Sequence, residues 1–239
     1  DLSGGPYRWI LRQVWDAIDA PTMRALQSEV DGIVIGGGGL FLREQPGTDL
    51  SKSGWTWNCS VAALGEVVRP VVVFAVGYNR FRGHSEFDGV FFEHINKLAA
   101  KSSFFGLRNN GSISALSRYL EPPNRDKLKL QVCPTTLIWQ LRPAYRELAL
   151  ATDRAGKRIL VLNAAFDRAK LRFGDEGNRI LGGIASAMRR AQDQGWTIRV
   201  VAHKTMDLEM EPHLDHAQVT YDTYDVSAGS SEDLFRFYA

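Results

Sequence analysis

The sequence predicts an α/β protein with parallel sheets, and three observations predict it. Short β-branched runs alternate with amphipathic stretches along the 239 residues. Two of those runs lead directly into glycines, as parallel strands do where the chain turns beside a ligand. A content of 44% hydrophobic and 23% charged residues is the ordinary mixture of a protein with a real core.

Residues 7–18 have helical spacing, and Pro21, after Asp19 and Ala20, suits the first turn of a helix. A buried strand follows at 32–35, then a helix over 60–68 and a second strand over 71–76. Asp88 and Gly89 start a helix over 90–100, followed by strand 104–107, helix 112–120 and strand 128–132. A helical connector over 137–151 is interrupted at Pro143. Strand 159–162, helix 180–194, strand 198–201 and a third strand at 218–221 form the rest, with a helix over 232–238. Gly195 is the expected stop of the long helix. Such alternation implies right-handed crossovers and helices on both sheet faces. The boundary expected at 152–157 divides the chain into 1–151 and 152–239. Three strands leave the second part incomplete, and the chain opens on a loop and helix, so residues are expected to be missing at both ends of a complete enzyme.

The net charge of +2, from 29 basic and 27 acidic side chains, argues against a dedicated nucleic-acid binder. Cys59 and Cys133 have no metal-ligand spacing and read as thiols in a reducing compartment. No basic partner marks either as a nucleophile, and no cluster demands a metal. No apolar run is long enough to span a bilayer and Asp1 to Pro6 is no signal peptide, so a cytoplasmic protein is expected. The balanced charge also argues against a dedicated membrane-surface binder, while composition leaves work beside a membrane open.

Three motifs carry candidate chemistry. Gly36-Gly37-Gly38-Gly39 follows the first strand, where glycines let the backbone turn and offer N–H groups to an anion. The spacing is not a dinucleotide fingerprint and lacks the lysine of a P-loop, and a ligand-free tight turn is the plain alternative. Gly77 and Asn79 follow the second strand, with Arg80 and Arg82 beside them. Arg108, Asn109 and Ser112 follow the third; arginine forks match carboxylate or phosphate, and Ser112 is placed to cap the next helix. The plain reading of this last motif is a cap and a surface ion pair. Trp55 and Trp57 fit either a sugar-stacking platform or a packed wall.

In order, "DGIVIGGGGLFL", "VVVFAVGYNRF", "FFGLRNNGSISALSRYL" and "LQVCPTTL" resemble the polysaccharide pyruvyl transferase family over about residues 29–137, and more loosely through "ILVLNAAFDRAKLRFG". The resemblance implies two Rossmann-like halves of the GT-B kind facing a cleft. It implies transfer of pyruvate from phosphoenolpyruvate onto two hydroxyls of a glycan or lipid-linked sugar, closing a ketal. Phosphoenolpyruvate is then the donor substrate and no cofactor is needed. Arg108 matches the family arginine that holds the donor's anionic groups, Ser112 a small hydroxyl residue, and Gly36 to Gly39 the glycine turn. Asn109 stands where many relatives carry aspartate.

The family's Arg-Gly-His segment, whose histidine is the expected general acid, is absent, and the acid is expected beyond Ala239. His203 follows a strand, whereas His84 and His94 lie in the first half and His213 and His216 read as a solvated loop. On the acceptor side, Asn163, Asp167 and Arg168 follow a strand, in a polar loop over 164–177. A GT-B glycosyltransferase using a nucleotide-sugar and a non-catalytic glycan- or anion-binding relative are the alternatives.

Overall fold

The computed structural model describes residues 7–151, 158–227, 229–230 and 233. The boundary expected at 152–157 and nearly all of the helix expected over 232–238 lie outside them. The chain divides into two units, residues 1–80 with 84–134 and residues 81–83 with 135–239. The division follows Pro134, so the helical connector belongs with the second unit.

The first unit carries strands β1 (Ile33–Gly36), β2 (Val71–Val76), β3 (Ser102–Leu107) and β4 (Leu128–Leu130) in the order 1-2-3-4, every neighbouring pair parallel. Helices α1 (Ala20–Ser28), α2 (Leu50–Ser53), α3 (Val61–Glu66), α4 (Gly89–Lys101), α5 (Asn110–Ser117) and α6 (Pro122–Arg125) surround them in sequence. The strand order never reverses, so right-handed crossovers stack their helices on one face. Burial follows that rule. Ile35, Val71, Val73, Phe105 and Leu107 share one core with Leu64, Phe91, Ile95, Leu98 and Leu116 from the helices.

On the opposite face Val34 is 53% and Phe74 36% exposed. Helices on both faces, expected from the alternation, are therefore not found among the described residues of this unit. A groove of about 990 Å³ runs along the open edge of β1, from Trp9 and Leu11 to Gly36, Gly37 and Phe74.

Helix starts follow local chemistry. The Asp19 carboxylate accepts from the Thr22 N–H at 2.9 Å, with Pro21 in the first turn, and Asp88 accepts from the N–H groups of Val90 and Phe91. Residues 7–18 form no helix, contrary to their spacing. The Val14 and Ile18 backbones are taken by Asn58 and Ser60 across the chain, which leaves nothing for an i to i−4 ladder.

A 3₁₀ turn at Pro134–Leu137 carries the chain from the first unit into the second, followed by α7 (Ile138–Leu141) and α8 (Pro143–Ala151), broken at Pro143 as expected. It continues through β5 (Arg158–Leu162), α9 (Ala169–Phe173), α10 (Gly177–Asp193), β6 (Trp196–Ala202), α11 (Glu211–His216) and β7 (Tyr221–Asp225). Its sheet is again parallel, in the order 5-6-7. Leu181 and Ala185 of α10 pack with Ile198 and Val200 of β6 and Leu214 of α11. Gly195, at φ +85°, donates its N–H to the Gln192 carbonyl and stops α10. The last strand begins three residues later than its apolar content suggested, because Gln218 takes a left-handed turn at φ +54° first.

No helix among the described residues is long and apolar enough to cross a membrane.

Candidate functional site

The carboxyl ends of β1, β2 and β3 bring the glycine turns and Arg108 together. Gly37 and Gly38 hold φ of +84° and +69°, a region that L side chains rarely adopt. The turn they make is stitched to the end of β2: the Gly77 N–H donates to the Gly38 carbonyl at 2.9 Å and Phe41 N–H to the Gly77 carbonyl at 3.1 Å. On its other side β2 receives the Arg108 N–H at the Val76 carbonyl, 3.1 Å away.

A bulge prepares that arrangement. Between the pairs Val73–Phe105 and Val76–Leu107, β2 spends one residue more than β3. The surplus is absorbed at Ala75, a buried non-glycine residue at φ +53°. Such a conformation costs on the order of 1–3 kcal/mol and concentrates where geometry serves a site. Nothing in the run Val71 to Val76 announces it.

The Arg108 guanidinium lies across Gly77. A Cβ on Gly77 would sit 2.1 Å from Nε and 2.5 Å from Cζ, so only glycine leaves room for the arginine as seated. Nη2 of Arg108 donates to Oδ1 of Asn79 at 3.2 Å, and Nδ2 of Asn79 donates to the Gly39 carbonyl at 3.3 Å. Gly39, Gly77, Asn79 and Arg108 thus form one hydrogen-bonded, close-packed group. No carboxylate among the described residues pairs with Arg108, which is half-buried. The surface ion pair of the plain reading is not found among the described residues.

The capping role expected of Ser112 falls to Asn109. Asn109 is the N-cap of α5, accepting from the Ser112 N–H at 2.7 Å. Ser112, buried, accepts from the Tyr78 N–H at 3.0 Å and so clips the loop after β2 to α5. Both side-chain oxygens are engaged in building the site.

Other candidates lie elsewhere. Trp55 is fully buried in the core and offers no face to a sugar, whereas Trp57, also buried, borders the groove beside β1. Arg80 pairs with Glu86, which also accepts from the Tyr119 hydroxyl at 2.6 Å. Burial drives the Cys59 thiol up to about 12, which removes thiolate character at neutral pH. Cys59 and Cys133 are not joined in a disulfide.

In the second unit the stretch over 164–177 is mostly helical. Arg172 pairs there with Asp167 at 2.9 Å, and Asn163 donates to the Val201 carbonyl. Buried Asp207 accepts from the N–H groups of Phe166, His203 and Lys204, tying the end of β6 to the loop after β5. His203 is exposed, and His213 and His216 lie on α11 rather than in a loop. A cavity of about 390 Å³ lies against α9 and α10, lined by Phe166, Lys170, Phe173, Glu209 and His213.

No protein-family model matches the chain, and no curated protein or solved structure matches it. No group of three or more His, Cys, Asp or Glu side chains among the described residues is placed to hold a metal ion.

The seat of Arg108 gives a direct prediction. Gly77→Ala should leave the sheet intact, since its backbone is not left-handed, and should unseat the guanidinium. The Nε–H resonance of Arg108, followed by NMR, is expected to shift and exchange faster with water. An unchanged resonance would mean that the side chain is not held against Gly77.

Proposed function

We propose that the first unit binds an anionic donor at Arg108, and that the chain is a polysaccharide pyruvyl transferase built on two Rossmann-like halves of the GT-B kind. One observation carries the binding step: a half-buried guanidinium, without a carboxylate partner among the described residues, is fixed over Gly77 at the carboxyl end of a parallel sheet. Open α/β sheets take ligands outside the carboxyl ends of their strands, and here the turn at Gly37 and Gly38, not a reversal of strand order, opens the backbone at that end. The four ordered sequence segments that resemble the family supply the chemistry.

On this reading Arg108 holds phosphate or carboxylate of phosphoenolpyruvate through charge-assisted hydrogen bonds. Protonation of the donor's methylene carbon makes an oxocarbenium-like centre, which a sugar hydroxyl attacks at C2 with loss of its proton. Phosphate then leaves with the C–O bonding pair, and a second hydroxyl closes the ketal with loss of its proton. Arg108 stabilises the charge that moves onto phosphate as that bond breaks. The glycan acceptor, free or lipid-linked, and a cytoplasmic site of action belong to the same proposal.

Calorimetry tests the first step. Phosphoenolpyruvate should bind saturably, and Arg108→Gln should weaken it by about 10- to 100-fold, the worth of hydrogen bonds to a charged group. Binding of a uridine diphosphate sugar without phosphoenolpyruvate would replace this reading with a glycosyltransferase. Phosphoenolpyruvate binding that ignores Arg108→Gln would remove Arg108 from the donor site.

A further inference from the structure

We infer that Asn79 is the positioning residue of the anion site: its carboxamide orients the Arg108 guanidinium while leaving the arginine's charge unneutralised. The inference rests on the reading of Arg108 as an anion-binding group. Asn79 sits between the two parts of the site. Its main-chain N–H is fixed on the Phe41 carbonyl at 2.9 Å, so the side chain starts from a held backbone. Its partners also fix which way the amide faces. A guanidinium only donates and a carbonyl only accepts, so Oδ1 must meet Arg108 and Nδ2 must meet Gly39. The fit at Gly39 is close, since a Cβ there would lie 1.6 Å from Nδ2.

Asparagine is the residue type these demands select. Alanine would free the guanidinium to swing among rotamers. Aspartate is nearly isosteric and would hold Arg108 more strongly, but as an ion pair. That pair would cancel the charge an incoming anion needs and would face the Gly39 carbonyl with a second acceptor. A neutral acceptor on one edge of the fork preorganises the cation at no cost in charge. Because the same carboxamide touches Gly39, the orientation of Arg108 and the path of the glycine turn are set together.

The test compares Asn79→Ala, Asn79→Asp and Arg108→Gln with the parent chain, titrated with phosphoenolpyruvate and separately with inorganic phosphate, and melted without ligand. The expected order of binding is parent, then Asn79→Ala weaker by about tenfold, roughly one hydrogen bond's worth, then Asn79→Asp as weak as Arg108→Gln. In thermal stability Asn79→Asp should equal or exceed Asn79→Ala. A purely structural asparagine gives the opposite order in binding, since aspartate keeps its shape. If Arg108→Gln abolishes binding while Asn79→Asp binds like the parent, the inference falls and the anion site stands. If Asn79→Asp does not fold, parent-like binding by Asn79→Ala overturns the inference alone. If Arg108→Gln leaves binding unchanged, or neither anion binds the parent, the anion site falls and the inference with it.

Discussion

Trp55→Ala is expected to destabilise the first unit by about 3–5 kcal/mol, toward the upper end of that range for a buried aromatic. Trp55 is 0% exposed, and its ring meets Phe41 at a centroid distance of 4.7 Å and Trp57 and His94 at 5.8 Å each. Truncation removes those contacts and leaves a void that a close-packed core refills only in part. It also deletes the donor of the 3.1 Å bond from Nε1 of Trp55 to Nδ1 of His94, and so strands a buried acceptor. The whole stability of a domain is about 5–15 kcal/mol, so the loss is a large share of it. Hydrogen exchange read by mass spectrometry separates the two units. Exchange should accelerate throughout β2, β3 and α4 and stay unchanged in β5, β6 and α10. Parent-like protection in α4 would show that Trp55 does not anchor the core.

The same side chain shows what a single sequence conceals. Trp55 and Trp57 stand in a stretch rich in Gly and Ser, which suits an exposed sugar platform as well as a packed wall. The deciding partner, His94, is 39 positions away on α4, and no periodicity links the two. The strands were far more legible. The run 71–76 is β2 residue for residue, because consecutive β-branched positions buried in a parallel sheet carry their own signal. Asp19 with Pro21, Asp88 and Gly195 likewise marked helix ends through local chemistry that needs no tertiary partner.

The failures have causes that local pattern does not carry. Residues 7–18 have a helix-like pattern, yet long-range backbone bonds to Asn58 and Ser60 decide their path. Ala75 is an ordinary strand residue by type, so its left-handed bulge could not be read. Asn109 and Ser112 are both cap-forming residues three apart, and only the geometry of α5 tells which one caps. At the site, the sequence brought Gly39, Gly77, Asn79 and Arg108 to one end of the sheet through their positions after strands. The seating of Arg108 over Gly77 and its bond to Asn79 are products of that bulge and of side-chain packing, which one sequence does not encode visibly.

His94 should make the first unit acid-sensitive well above the range where carboxylates act. Its imidazole is 0% exposed, and burial above all, with the nearby Lys97 charge, depresses it to about 3 against the pull of the Cys59 backbone. Nδ1 accepts from Trp55, so protonating it would set two donors against each other and place a charge in the core. The unfolded chain takes up a proton near the ordinary histidine value, whereas the folded chain resists until about pH 3. Stability is therefore complete above about pH 6.5 and falls as pH drops, by up to about 1.4 kcal/mol per unit, or about 2 kcal/mol by pH 5. Asp19, Asp49, Asp225 and Glu86 are held low chiefly by side-chain hydrogen bonds from Thr22, Ser51, Ser227 and Tyr119, so they contribute only at more acid pH. His94→Gln keeps an acceptor for Trp55 and removes the titration. Urea unfolding of parent and variant at pH 7, 6 and 5, followed in β2 and α4, should show a stability gap that narrows or reverses toward pH 5. Subtracting the two curves cancels what the other histidines contribute. Parallel curves over that interval would mean that His94 is solvated in the folded protein, and the packing of Trp55 against it would have to be redrawn.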